Sequence, residues 1–251
     1  MSVPTPEARL GVRQRPVASS PIMLQKWRDL LFLHWEHPAE AIQRTLPEGL
    51  SVDTFEGKAY LGIVPFFMRD VRPPVLPALP GVSNFLELNF RTYVYDRNGI
   101  PGVWFYSLDA NQWLAVKTAR ALFHLPYYYA AMTAWTDAAK GICYRARREA
   151  APAHELSYDY LAQGQSVASE PGSLEFFLIE RYVLFAWAEP SRTLYSARVW
   201  HTPYPLETVD VTRWDAELFA LDGFPPPARK ADHLIFSTGV DVEVFMPRMV
   251  V

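Results

Sequence analysis

The chain has 251 residues, half of them hydrophobic, which is enough for one large β domain or two small ones. Charged residues make up 20% and the net charge is −3, so the basic excess of a nucleic-acid-binding surface is missing. A single cysteine, Cys143, excludes an internal disulfide and a multi-cysteine zinc site.

Residues 1–22 are polar and interrupted by Pro4, Pro6, Pro16 and Pro21, and read as an extended N-terminal arm with little structure of its own. One β domain is expected over 23–251. After Arg28 the run L-L-F-L-H-W predicts a strand, and Pro38 opens a short helix through Leu46. Val52–Phe55 and Ala59–Phe66 predict a hairpin around Glu56-Gly57. Residues 69–82, with four prolines, predict a loop.

Phe85–Tyr95 is the clearest strand pattern. Alternation places Leu86, Leu88, Phe90, Thr92 and Val94 on one face. Phe85, Glu87, Asn89, Arg91 and Tyr93 fall on the other. That second face is either a solvated surface or the polar wall of a binding cavity. A partner strand follows over Val103–Leu108, then a helix over Asn111–Phe123, capped by Asp109 or Asn111 and stopped before Pro126. Further strands are predicted at 142–147, 155–160, 176–185, 193–200, 207–211, 232–237 and 240–245, with a helix at 215–221. Glu180 and Arg181 interrupt the apolar run at 176–185, and a buried pairing with Arg198 suits them. The total is mainly β with a few short helices, an antiparallel barrel or sandwich.

No glycine-rich nucleotide loop and no G-x-S-x-G elbow is present, and the six histidines show no metal-binding spacing. No cofactor and no metal is expected. His124, at the helix exit, and His201, at a strand end, are pocket candidates, against a plain role as histidines bonded to nearby backbone. No signal peptide core and no run near the roughly 18 apolar residues of a membrane span occurs, so a soluble cytoplasmic protein is the expectation.

The segments F-L-H-W (32–35), L-P-E-G-L-S-V-D (46–53), G-K-A-Y-L-G-I-V-P-F (57–66), E-L-N-F-R-T-Y-V (87–94), S-L-D-A (107–110), A-R-A-L-F-H-L-P-Y (119–127), E-R-Y (180–182) and H-T-P-Y-P-L (201–206) together resemble the YqjF-like, or DUF2071, family. That family in turn resembles acetoacetate decarboxylase and its relatives. The resemblance implies a closed β-barrel or cone around a central pocket. It places Arg120 and Pro126 on the arginine and proline of the decarboxylase motif G-R-E-x4-P-K-K. Tyr127 and Tyr128 then stand at its two lysines, and Ala121 at its glutamate. Arg28 falls near the N-terminal pocket arginine of those enzymes, Glu87 near one acidic position and Tyr60 near the other.

A tyrosine cannot form the imine that the decarboxylase lysine forms with a ketone. The implied protein therefore binds a carboxylate or carbonyl compound without Schiff-base chemistry. Lys117, the nearest lysine, leaves the wrong face of the helix. Tyr127 and Tyr128 are the candidate acids and Glu87 the base; Arg28, Asn89, Arg91, Arg120, His124 and His201 are the candidate substrate contacts. Lyase, hydratase or isomerase chemistry fits such groups. The alternatives are a non-catalytic ligand-binding or regulatory module, and a homo-oligomer whose tyrosines are interface aromatics. Incubation with acetoacetate, borohydride reduction and intact-mass measurement should give no adduct; a lysine adduct would refute the exclusion.

Overall fold

Three central strands carry apolar side chains on both alternate faces, so they must be covered on both sides. The computed structural model describes residues 3–189 and 191–250. In chain order it contains α1 (Pro6–Gly11), β1 (Met23–His37), α2 (Ala39–Gln43), β2 (Leu50–Val52), β3 (Ala59–Arg72), β4 (Phe85–Asp96) and β5 (Pro101–Ala110). Then follow α3 (Trp113–Phe123), β6 (Tyr127–Asp137), β7 (Gly141–Arg148), β8 (Leu156–Val167), α4 (Leu174–Ile179), β9 (Val183–Ala188), β10 (Thr193–Trp200), β11 (Leu206–Arg213), α5 (Glu217–Leu221), β12 (His233–Val244) and β13 (Arg248–Met249). Among the described residues no helix is long and apolar enough to cross a membrane.

The strands form one sheet in the order β13-β10-β9-β5-β6-β7-β8-β11-β12-β1-β3-β4-β2. Two further contacts join β5 to β4 and β10 to β12. Hydrogen bonding therefore runs from β4 through β5, β9, β10, β12, β1 and β3 and back to β4. The pairings are antiparallel except β5 with β6 and β5 with β9. The shared strands β1, β3 and β4 divide the interior. Leu30 and Phe32, Val64 and Phe66, Phe85 and Tyr93 enter one core. Their neighbours Leu31 and Leu33, Leu61 and Ile63, Leu88 and Phe90 enter a second core, closed by α5.

The mainly β character agrees with the sequence reading, and several elements differ from it. The arm is not structureless. Thr5 accepts from Ala8 N to cap α1, and the arm is tied down by Arg198, which donates to the carbonyls of Val12 and Gln14. The Glu56-Gly57 turn closes only a single bridge, Phe55 with Lys58, because β2 pairs with β4 instead of β3. The cap of α3 is Gln112, since Asn111 accepts from Leu86 N and Asp109 is engaged by Arg148. The apolar run at 176–185 divides into a helix and a strand. Ser173 accepts from Phe176 N and starts α4, which ends before the Glu180-Arg181 pair. Residues 127–137 form a strand that their mixed pattern did not announce.

The two runs at 232–237 and 240–245 are one strand, β12, which crosses β1 at Gly239. Gly239 has φ +123, and an added Cβ would come within 2.0 Å of the Trp27 carbonyl oxygen. Gly239→Ala should therefore cost on the order of 3 kcal/mol in chemical denaturation. A loss below about 0.5 kcal/mol would contradict this packing.

Candidate functional site

The first core is not solid. A cavity of about 390 Å³ lies inside it, within the size range of small-molecule sites. Most of its wall is apolar, with Trp27, Met68, Phe85, Phe105 and Phe123 among the larger groups. Its polar lining residues fall into two sets: Glu87, Arg91, Tyr127, Arg181 and Tyr204, and Gln25, Arg72 and Thr118. The alternation of β4 delivers Phe85, Glu87 and Arg91 together. Tyr127, the first residue of β6, sits opposite Leu108 of β5 in parallel register, which turns its ring inward.

Tyr127 donates its hydroxyl to Glu87 Oε2 at 2.8 Å. Glu87 is 3% exposed, and burial pushes its carboxyl up to about 8 even though the Tyr127 bond lowers it. Burial and the adjacent carboxyl push the Tyr127 phenol well above its ordinary value. Near neutral pH both groups hold their protons for most of the time. The pair is a proton reservoir with one member poised near physiological pH.

A neutral Glu87 leaves Arg91 without an interior counter-charge. Arg91 is 9% exposed, and its Nε and Nη2 have no hydrogen-bond partner among the described residues. These atoms form the guanidinium edge that grips a carboxylate through two parallel bonds. The Arg91 guanidinium lies over the Phe32 ring at 5.3 Å and the Tyr93 ring at 5.6 Å. Tyr93 is fixed in turn through its hydroxyl, 2.7 Å from His34 Nε2. Asn89 lies between Glu87 and Arg91 on the strand face. It does not line the cavity, and its Oδ1 also has no partner among the described residues.

Arg181 is held from behind. Its Nε donates to the Phe177 carbonyl at 2.6 Å and its Nη1 to Asp53 at 2.8 Å. Arg9 of α1 grips both oxygens of Asp53 from the other side, at 2.7 and 2.8 Å. Burial raises the Asp53 carboxyl, but the two arginines outweigh it and hold the group below its ordinary value. Arg181 Nη2 is buried, with no hydrogen-bond partner among the described residues.

The DUF2071 family, described as an uncharacterized conserved protein, matches residues 24–241. The uncharacterized protein YqjF of Bacillus subtilis (strain 168) is 36% identical over 189 residues, covering 75% of this chain and 76% of that protein. The chain belongs to this family. Solved structures share its fold at low identity. Acetoacetate decarboxylase from Legionella pneumophila has a TM-score of 0.65 and 11% identity, covering 95% of this chain and 91% of that one. The enduracididine biosynthesis enzyme MppR scores 0.65 at 14% identity, covering 92% and 90%. An acetoacetate decarboxylase-like enzyme from Sphingomonas wittichii RW1 scores 0.63 at 13% identity, covering 92% and 94%.

Within this YqjF-family chain the residues singled out from sequence separate into two groups. Glu87, Arg91 and Tyr127 share the cavity, with Asn89 beside it. Tyr128 points the opposite way from Tyr127 and stacks on Arg148, 4.1 Å from its ring centre. Arg120 lies off the Ala115-Ala119-Phe123 face that lines the cavity, and its Nε donates to the Tyr127 carbonyl at 2.6 Å. Arg28 turns outward, donating to the Val240 carbonyl at 2.7 Å and pairing with Asp241, while its neighbour Trp27 turns inward.

His124 ends α3 in the left-handed region at φ 55 and lines a separate outer cleft of about 600 Å³. His201 is buried against Tyr182 at 4.4 Å and Tyr204 at 4.6 Å, and burial lowers it to about 4. It supports Tyr204 without lining the cavity. Tyr60 is core. Arg181 pairs with Asp53, and Glu180 accepts from Tyr204 N, so neither pairs with Arg198. The cavity roles of Arg181 and Tyr204 were missed. The E-R-Y motif was the available signal for Arg181.

Glu87 has a folded value of about 8 against an ordinary 4.5. Between those values the folded chain keeps a proton that the unfolded chain has released. Stability from this group is complete below about 4.5 and falls as pH rises through 8. Glu87→Gln should lose this dependence and gain on the wild type by several degrees in Tm at pH 9 relative to pH 5. An equal Tm difference at both pH values would contradict the buried, protonated carboxyl.

Proposed function

We propose that the protein binds a small carboxylate- or carbonyl-bearing molecule in this cavity and acts on it by proton transfer. The carrying observation is the Tyr127–Glu87 hydrogen bond at 2.8 Å inside a cavity whose Arg91 edge is unpaired. The two further strand contacts, β4 with β5 and β10 with β12, support reading the sheet as a closed cone around that space. The carboxylate takes the Arg91 Nε and Nη2 positions, giving these two buried nitrogens the acceptors they lack among the described residues. Arg181 Nη2 is available to a second acceptor oxygen of the same ligand. An oxo acid meets both requirements, and MppR, which shares the fold, has been captured with pyruvate.

No lysine lines the cavity, so the chemistry is separate from imine formation. Lys117 lies on the outer side of α3, its Nζ 3.9 Å from the centre of the Trp113 ring. The remaining route is enolisation. Ionised Glu87 takes a proton from the carbon next to a carbonyl while Tyr127 gives its proton to the carbonyl oxygen. Hydration, dehydration, isomerisation and retro-aldol cleavage all pass through such a step.

The test needs no knowledge of the natural substrate. In D2O, the wild type should speed deuterium exchange at the carbon beside the carbonyl of 2-oxohexanoate, measured by NMR. The rate should rise with pH and level off above about 8, following ionisation of Glu87. Tyr127→Phe and Glu87→Gln should each lower it by about 100-fold or more while binding persists. Binding without exchange in the wild type would point to a non-catalytic ligand-binding module instead.

A further inference from the structure

The cavity has direction. Its mouth lies where Leu114, 49% exposed, and the exposed Pro73 contribute to its wall. Its far end is closed by α4 and by the Arg9–Asp53–Arg181 cluster. Along β4 the inward positions run from Phe85 through Glu87 to Arg91, and Met68 opposite Phe85 is four residues from the end of β3 near the mouth. The step from Phe85 to Arg91 spans roughly 20 Å of strand. A carboxylate seated on Arg91 is therefore deep, and the rest of its molecule extends back past Tyr127 and Glu87 toward solvent.

That return path is apolar. Leu108, Phe123, Val71 and Met68 form much of it, with Gln25 and Thr118 as its uncharged polar residues. The single arginine near the mouth, Arg72, is turned to the carbonyls of Pro74 and Leu76 and to Asp70. The segments that supply Pro73, Val82 and Leu114 to the wall also carry exposed apolar residues: Val75 at 90% exposure, Leu76 and Leu79 on the 73–84 loop, and Trp113, with Lys117 over its ring, at the start of α3. Gln112 joins these two segments through a bond to the Gly81 carbonyl at 2.6 Å. An exposed apolar rim around an apolar channel suits a ligand that is itself poorly soluble along most of its length.

Charge gives the head group. Arg181 is neutralised by Asp53, and the extra charge of Arg9 sits on the outer side of that carboxylate. Of the cavity arginines Arg72, Arg91 and Arg181, Arg91 is the one without an ion-pair partner among the described residues, so the cavity calls for one negative charge. We infer that the ligand is an amphiphilic monocarboxylate, its carboxylate on Arg91 and an extended hydrocarbon tail filling the channel to the apolar rim. This rests on the carboxylate reading of Arg91 proposed above and narrows it to a chemical class. A short oxo acid such as pyruvate would occupy only the deep end and leave most of the apolar wall in contact with water.

Isothermal titration of the wild type with acetate, hexanoate, decanoate and 1-decanol at pH 7 tests this. Affinity should rise with chain length, decanoate binding about tenfold or more tighter than hexanoate, because each buried methylene adds to the transfer term. Decanoate should also bind tighter than 1-decanol. Arg91→Gln should remove that head-group advantage while leaving 1-decanol binding unchanged, which a merely misfolded variant would not do. Acetate binding as tightly as decanoate would overturn the tail and leave the carboxylate site standing. Decanoate binding that ignores Arg91→Gln would overturn both, as would a failure of every acid to bind.

Discussion

A charged guanidinium inside a protein must find partners or cost stability, and the Nε and Nη2 of Arg91 have none among the described residues. Everything around it makes this tolerable without removing it. Phe32 and Tyr93 offer their ring faces, and the cavity keeps space open beside the free Nε and Nη2 edge. Glu87, the nearest carboxyl on the same strand face, is kept neutral by burial and bonded to Tyr127. Were Glu87 ionised and paired with Arg91, the site would be self-satisfied and closed to an anion. The chain places positive charge and proton donors in one space and keeps them apart.

The surrounding fold serves that separation. β4 is covered on both faces, so its odd-numbered residues cannot escape to solvent. The second core, with Leu88 and Phe90 packed beneath α5, fixes the register that aims Glu87 and Arg91 inward. The arm contributes more than a cover. Through Arg9 and Asp53 it holds Arg181 with one nitrogen free toward the cavity. Breaking such a buried cluster by removing one member leaves an uncompensated charge, which is far costlier than losing a surface pair.

Much of this was legible in the residues. Strict alternation over 85–95 separated the polar face from the apolar one, and burial of both faces decided between solvent and cavity. Pro126 located the helix exit, and the resemblance to the decarboxylase motif singled out Tyr127. Side-chain direction was less legible. Tyr127 and Tyr128 look equivalent in sequence, yet they belong to a strand and so face opposite ways. Arg28, a candidate through the resemblance, turns outward while Trp27 lines the cavity; the apolar run that defines β1 becomes clear only after Asp29, whose φ is 53. The cavity role of Arg181 was missed because the run over 176–185 reads as one strand by hydrophobicity, while the Ser173 cap makes its first part a helix. Contacts across 128 residues, such as Arg181 with Asp53, leave no local pattern at all.

The relation to the acetoacetate decarboxylase fold is one of shape, with different groups at the chemical positions. The positions to which the resemblance assigns the two lysines hold Tyr127, facing the cavity, and Tyr128, facing away, and the unpartnered guanidinium edge of Arg91 lies on β4. The most direct measurement is a crystal structure of the protein soaked with 2-oxohexanoate. The account predicts a carboxylate bridging Arg91 Nε and Nη2, with the carbonyl oxygen within hydrogen-bond distance of Arg181 or Tyr127. A ligand bound at Arg72 or in the outer cleft by His124, with the Arg91 edge still unpaired, would contradict it.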